Sequence, residues 1–164
     1  MTMETRKSIR LSGYDYSQQG AYFITVCTRN REPLFWVRSA PVGQGLCPCL
    51  SPEGIIVRDE IDALEARFPS VHIEKYVVMD DHIHILFHLT RQGQSPCPTI
   101  GAIIGALKSI TTKRINGMRG TPGWKLWQFR YYDHVIRDDN DFLIKWNYID
   151  TNPARWQEDE YCEG

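Results

Sequence analysis

The chain has 164 residues, 42% of them hydrophobic and 24% charged, with a formal net charge of −1. That composition describes a soluble globular chain with one sizeable core, so a single domain over residues 1–164 is expected. No apolar run approaches the roughly 18 residues that cross a bilayer. The basic start is not followed by an apolar leader segment, which predicts a cytoplasmic protein with no membrane partner. Five cysteines (Cys27, Cys47, Cys49, Cys97 and Cys162) are odd in number and irregularly spaced, favouring reduced thiols over a disulfide framework.

In chain order, residues 1–19 read as a basic arm, and Ala21 to Arg29, "AYFITVCTR", is β-branched and aromatic enough for a first strand. Residues 37–54 are rich in Pro, Gly and Ser and predict a surface loop. From Ile55 to Phe68 the apolar positions Val57, Ile61, Leu64 and Phe68 recur at helical spacing. "VHIEKYVVM" and "HIHILFHL" then read as two strands joined by a turn at Asp80-Asp81. A second helix is predicted from about Thr99 to Asn116, with Ile100, Ile103, Ile104, Leu107 and Ile110 on one face, ended by Gly120, Pro122 and Gly123. "RYYDHVIR" is a fourth strand, and "DDNDFLIKWNYIDTNP" a last helix capped within Asp138 to Asn140 and stopped by Pro153. The order β-α-β-β-α-β plus one helix predicts an α+β, ferredoxin-like antiparallel four-stranded sheet with two helices on one face.

Charge is unevenly distributed. Gly101 to Arg137 holds seven basic residues against one acid, whereas Glu53 to Asp81 holds eight acids against three basic residues. A basic stretch that also carries Trp124, Trp127, Phe129, Tyr131 and Tyr132 suits a surface that holds phosphates and stacks bases, and equally a solvated helix beside ordinary core aromatics.

The chemistry-bearing residues are found in "VVMDDHIHILFHL". Alternation sends Ile83, Ile85, Phe87 and Leu89 to one side of the strand and His82, His84, Leu86 and His88 to the other. Two imidazoles one pleat apart can grip one divalent ion, although an H-x-H pair can also be a plain polar strand face. In the last helix Tyr148 and Asn152 are one turn apart and share a face, while Phe142, Trp146 and Ile149 form another. Tyr148 can serve as a nucleophile or simply as a packing tyrosine.

In combination, these stretches resemble the REP-associated tyrosine transposases of the HUH single-strand DNA transposase superfamily. "RKSIRLSGYDYSQQGAYFITVCTRNREPLF", "VVMDDHIHILF", "IGAIIGALKSITTKRIN", "RGTPG" and "WQFRYYDHVIRDDNDFLIKWNYIDTNPARW" follow the family's order over nearly the whole chain. The family usually has Pro-Asn where this chain has Asp80-Asp81, and residues 37–52 look longer or differently composed. The resemblance implies that Tyr148 is the nucleophile and that His82, His84 and Asn152 hold a divalent ion, Mg²⁺ or Mn²⁺. It implies attack on single-stranded DNA near REP-like hairpins through a 5′-phosphotyrosine, by a bacterial, nucleoid-associated enzyme. A monomer with its site in one chain is expected, a dimer being the alternative. By charge, Arg6, Lys7, Arg10, Lys108, Lys113, Arg114, Arg119 and Arg130 are candidates to follow DNA, and His134 and Arg137 to support the site. Two other readings remain: a domesticated hairpin-binding or nicking protein without transposition, and an RNA-recognition-like module without catalysis.

Overall fold

The structure, a computed structural model, describes residues 19–37, 49–90 and 97–152. Arg6, Lys7 and Arg10 of the basic arm, and most of the predicted 37–54 loop, lie outside the described residues. The elements run β1 (Gly20–Cys27), α1 (Pro52–Asp62), α2 (Leu64–Arg67), β2 (Val71–Val78), β3 (His82–Leu89), α3 (Ile100–Arg119), β4 (Tyr132–Val135) and α4 (Asp139–Thr151). All neighbouring strands are antiparallel, in the order β2-β3-β1-β4, which is the expected α+β, ferredoxin-like sheet. Among the described residues no helix is long and apolar enough to cross a membrane.

Alternation along the two central strands builds two separate apolar layers. Tyr22, Ile24 and Val26 of β1 and Ile83, Ile85, Phe87 and Leu89 of β3 pack with Val57, Ile61, Ile103, Ile104 and Leu107 of α1 and α3 in the main core. Phe23 and Leu86, one residue out of phase, join Ile149 of α4 in a smaller cluster on the opposite face. The face left clear by the β-α-β-β-α-β layout is therefore covered by α4.

β2 reaches both layers because its register shifts between Ile73 and Lys75. Before the shift, Val71 and Ile73 lie opposite Leu89 and Phe87; after it, Lys75 and Val77 lie opposite Leu86 and His84. One extra residue, Glu74, changes which face the later side chains occupy, and it turns Lys75 away from the main core toward α4.

Two helix starts depend on hydroxyl caps. α1 begins inside the segment predicted to be loop, because Ser51 Oγ accepts the Gly54 N–H (3.1 Å) while donating to the Leu34 carbonyl (2.6 Å). Gly54 is required by proximity: a Cβ there would collide with the Phe35 carbonyl oxygen. α3 starts at Thr99, whose Oγ1 accepts from Ala102 N–H (3.1 Å), and it runs three residues past the predicted end to a left-handed Gly120.

Segment 124–131, which returns the chain from α3 to β4, is tied inward by Trp127. Its buried indole Nε1–H donates to Thr111 Oγ1 (2.8 Å), and that hydroxyl donates to the Leu107 carbonyl (2.7 Å). Thr111→Val keeps the volume but strands the indole N–H, and should lower stability by about 1–3 kcal/mol. Urea unfolding should show a lower midpoint with an unchanged slope.

Candidate active site

His82 and His84 are both fully buried, with ring centres 4.7 Å apart. Each ring is held through Nδ1. The His82 Nδ1–H donates to Asp81 Oδ1 (2.7 Å), and Asp81 is also paired with Arg31 (3.1 Å). His84 Nδ1 shares a hydrogen bond of 2.8 Å with Thr25 Oγ1, its cross-strand partner on β1. Partners on Nδ1 set the tautomer and ring orientation that would present Nε2 to a metal ion.

Asp80 and Asp81 therefore act inside the protein. The Asp80 carbonyl accepts from the backbone N–H groups of Leu34 (2.8 Å) and Phe35 (3.0 Å), and its carboxylate accepts from Trp36 N–H (3.2 Å). Burial pushes the Asp81 carboxyl up, but the hydrogen bond and charge of His82 together with the Arg31 guanidinium outweigh it and hold the group below its usual range.

α4 brings Tyr148 to this pair. Its ring meets His84 edge-on at 5.2 Å between centres and Phe23 edge-on at 5.9 Å. Asn152, the C-cap one turn later, is buried. Lys145, one turn before Tyr148, places its ammonium 5.1 Å from the centre of the Phe23 ring. Among the described residues no three His, Cys, Asp or Glu side chains form a metal-binding cluster. Among the described residues, the Asn152 amide oxygen, on the same helical face as Tyr148, is suited to be a third ligand beside the two imidazoles.

Four polar contacts aim α4. Asp138 caps its start by accepting the Asp141 N–H (2.8 Å). Asp141 in turn bonds His134 Nε2 (2.8 Å) and the backbone N–H of Arg137 (3.1 Å). Near the other end Asp150 pairs with Lys75, whose ammonium also lies 4.3 Å from the Trp146 ring centre. His134 thus fixes the helix that carries Tyr148, whereas the Arg137 side chain is exposed.

The basic residues of α3 divide in two. Arg114 pairs with Glu60 (2.7 Å), Arg119 pairs with Glu53 (2.8 Å), and Lys108 donates to the carbonyls of Gln128 (2.7 Å) and Phe129 (3.2 Å). Lys113 and Arg130 are exposed. Thr25 and Lys145 are the site residues that sequence reading passes over; Asp81 it marks as a departure from the family's Pro-Asn beside the histidine pair. Asp81 and Lys145 were signalled by adjacency to His82 and by helical spacing from Tyr148, whereas nothing local marks Thr25 as the partner of His84.

The chain thus joins an antiparallel ferredoxin-like sheet, a buried histidine pair and a tyrosine borne on the helix above it. The model of the IS200-like transposase family matches residues 61–152, more than half of the chain, and the chain belongs to that family. An uncharacterised protein of Haemophilus influenzae strain KW20 Rd is 30% identical over 172 residues, spanning 94% of this chain and 92% of its own. The solved structure of a REP-associated tyrosine transposase bound to a REP hairpin is 22% identical and aligns over 89% of this chain and 74% of that one, with a TM-score of 0.55. That likeness establishes the shared fold.

The His134–Asp141 contact makes α4 docking sensitive to acid. Burial raises the Asp141 carboxyl, but the His134 hydrogen bond, the Arg137 N–H and nearby positive charge together outweigh it and hold the group below the ordinary value of 3.8. A carboxyl lowered on folding stabilises above its unfolded pKa, and this contribution is lost as pH falls through the folded value, here below about pH 4. Asp141→Asn should flatten that part of the profile. The test is the thermal midpoint of parent and variant measured from pH 6 to pH 2.

Proposed function

We propose that this transposase cleaves and rejoins single-stranded DNA through Tyr148, with His82, His84 and Asn152 holding a divalent ion, Mg²⁺ or Mn²⁺. The observation that carries the reading is the 5.2 Å packing of the Tyr148 ring against His84 of the same chain. The residues present can hold a divalent ion: two imidazoles oriented through Nδ1 and one amide oxygen would supply mixed nitrogen and oxygen ligands. Such an ion would offset charge on the scissile phosphate.

The chain's own residues supply the rest. Tyr148 Oη attacks phosphorus, forming the Oη–P bond as the P–O3′ bond breaks; the phenolic proton is released and the departing 3′ oxygen takes one up. The products are a 5′-phosphotyrosine and a 3′-hydroxyl. Because the link stays an ester, a 3′-hydroxyl can reverse the step without a nucleotide cofactor. His84 and Phe23 hold the Tyr148 ring, and Lys145, one turn away, favours an approaching phosphate. The solved relative bound to a REP hairpin supports hairpin-flanked single strands as the substrate class. An RNA-recognition module is disfavoured, since the corresponding sheet face bears histidines and is covered by α4.

Tyr148→Phe removes one hydroxyl and should abolish the covalent protein–DNA adduct while sparing binding. Denaturing gel electrophoresis with a labelled single strand carrying a hairpin reads this directly, and an adduct persisting in the variant would remove Tyr148 as the nucleophile.

The reading includes a site completed within one chain, supported by α4 lying over its own β2 and β3. A mixture of Tyr148→Phe protein with the double variant His82→Ala, His84→Ala should therefore stay inactive. Recovery of cleavage in the mixture would instead require that tyrosine and histidines meet from different chains.

A further inference from the structure

A groove of about 710 Å³ lies between α3 and segment 124–130, away from Tyr148. Its lining includes Arg29, Lys108, Lys113, Lys125 and Phe129 and contains no carboxylate. That imbalance is local. Arg31, Arg67, Lys75, Arg114 and Arg119 each have an acidic partner, whereas no ion pair joins Arg29, Lys113 or Lys125 to a carboxylate among the described residues. A low-dielectric wall lined by one sign of charge concentrates an anionic ligand.

Phe129 is 97% exposed, so its ring contributes almost nothing to folding. Its backbone is nonetheless firmly held. Lys108 Nζ donates to the Gln128 and Phe129 carbonyls (2.7 and 3.2 Å), the Gln128 N–H donates to the Cys27 carbonyl (2.9 Å), and buried Trp127 anchors the preceding residue. A planar ring displayed on a fixed backbone beside three cations, with none of the described residues covering it, matches a nucleobase next to its phosphates. Trp127, the more conspicuous aromatic in the sequence, is buried and cannot serve.

We infer that this groove is a single-stranded DNA subsite, in which Arg29, Lys113 and Lys125 hold phosphates and Phe129 stacks an unpaired base. The inference rests on the proposed single-strand reading and extends it to a second surface. The two surfaces adjoin: Cys27 pairs with His82 in the sheet, and the groove begins at Arg29, two residues further on. DNA in the groove would reach Tyr148 around the edge of the sheet formed by β4. Lys108 is a positioning residue, fixing the backbone under Phe129.

The test is fluorescence anisotropy of a labelled hairpin-flanked single strand and of a fully paired duplex, over a range of salt. The triple variant Arg29→Ala, Lys113→Ala, Lys125→Ala should lose about tenfold or more in single-strand affinity and about 2 from the salt slope, near 0.7 per phosphate released. Phe129→Ala should lose about tenfold on the single strand and little on the duplex, with Phe129→Tyr restoring binding. All these side chains are largely outside the core, and thermal midpoints check that the fold is kept. Unchanged affinity and salt slope in these variants, with the parent still forming its Tyr148 adduct, would overturn the groove and leave the tyrosine reading standing. Equal losses on single strand and duplex for Phe129→Ala would overturn stacking, and a parent that neither binds single strands nor forms an adduct would overturn both readings.

Discussion

β3 is buried on both faces, and the rest of the molecule is arranged around that constraint. One side of the strand supplies Ile83, Ile85, Phe87 and Leu89 to the core beneath α1 and α3; the other supplies His82, His84 and Leu86 to the layer under α4. Because side chains alternate strictly, the imidazoles cannot shift without displacing the core residues between them. The pair is thus held in place by the same packing that holds the sheet together.

The two layers are held unequally. The main core is built from long aliphatic contacts across two helices, whereas α4 fully buries Ile149 against Phe23 and Leu86 and packs Phe142, Trp146 and Tyr148 partly buried beside it. Burying one isoleucine contributes about 1.5–3 kcal/mol, and partly exposed pairs such as Lys75–Asp150 contribute about 0–1 kcal/mol each. Local release of α4 therefore costs less than unfolding the sheet. His82 and His84, which lie beneath this layer, have no exposed surface.

Electrostatics follow the same division. The acidic segment around α1 and the basic segment around α3 are neighbours in space, and Glu60 and Glu53 take up Arg67, Arg114 and Arg119. Two residues of the basic segment, Arg114 and Arg119, thereby join helices. Arg29, Lys113 and Lys125, which no ion pair joins to a carboxylate among the described residues, line the groove beside segment 124–130. A charge count along the chain cannot distinguish these roles, because pairing depends on which elements pack together.

Local pattern alone determined much of this protein. The period of two in "HIHILFHL" set both faces of β3, the helical spacing of Ile100, Ile103, Ile104 and Leu107 set the buried stripe of α3, and the run Asp138 to Asn140 bounded the start of α4, with Asp138 the cap in the structure. These features depend on neighbours within a few residues, which a sequence displays directly. Tertiary structure decided the rest. The bulge at Glu74 that turns Lys75 toward α4, the pairing of Thr25 with His84, the inward use of Asp81 and the different fates of Trp127 and Phe129 all depend on segments distant in the chain. Strand register and helix docking bring such segments together, and no short window of sequence contains both partners.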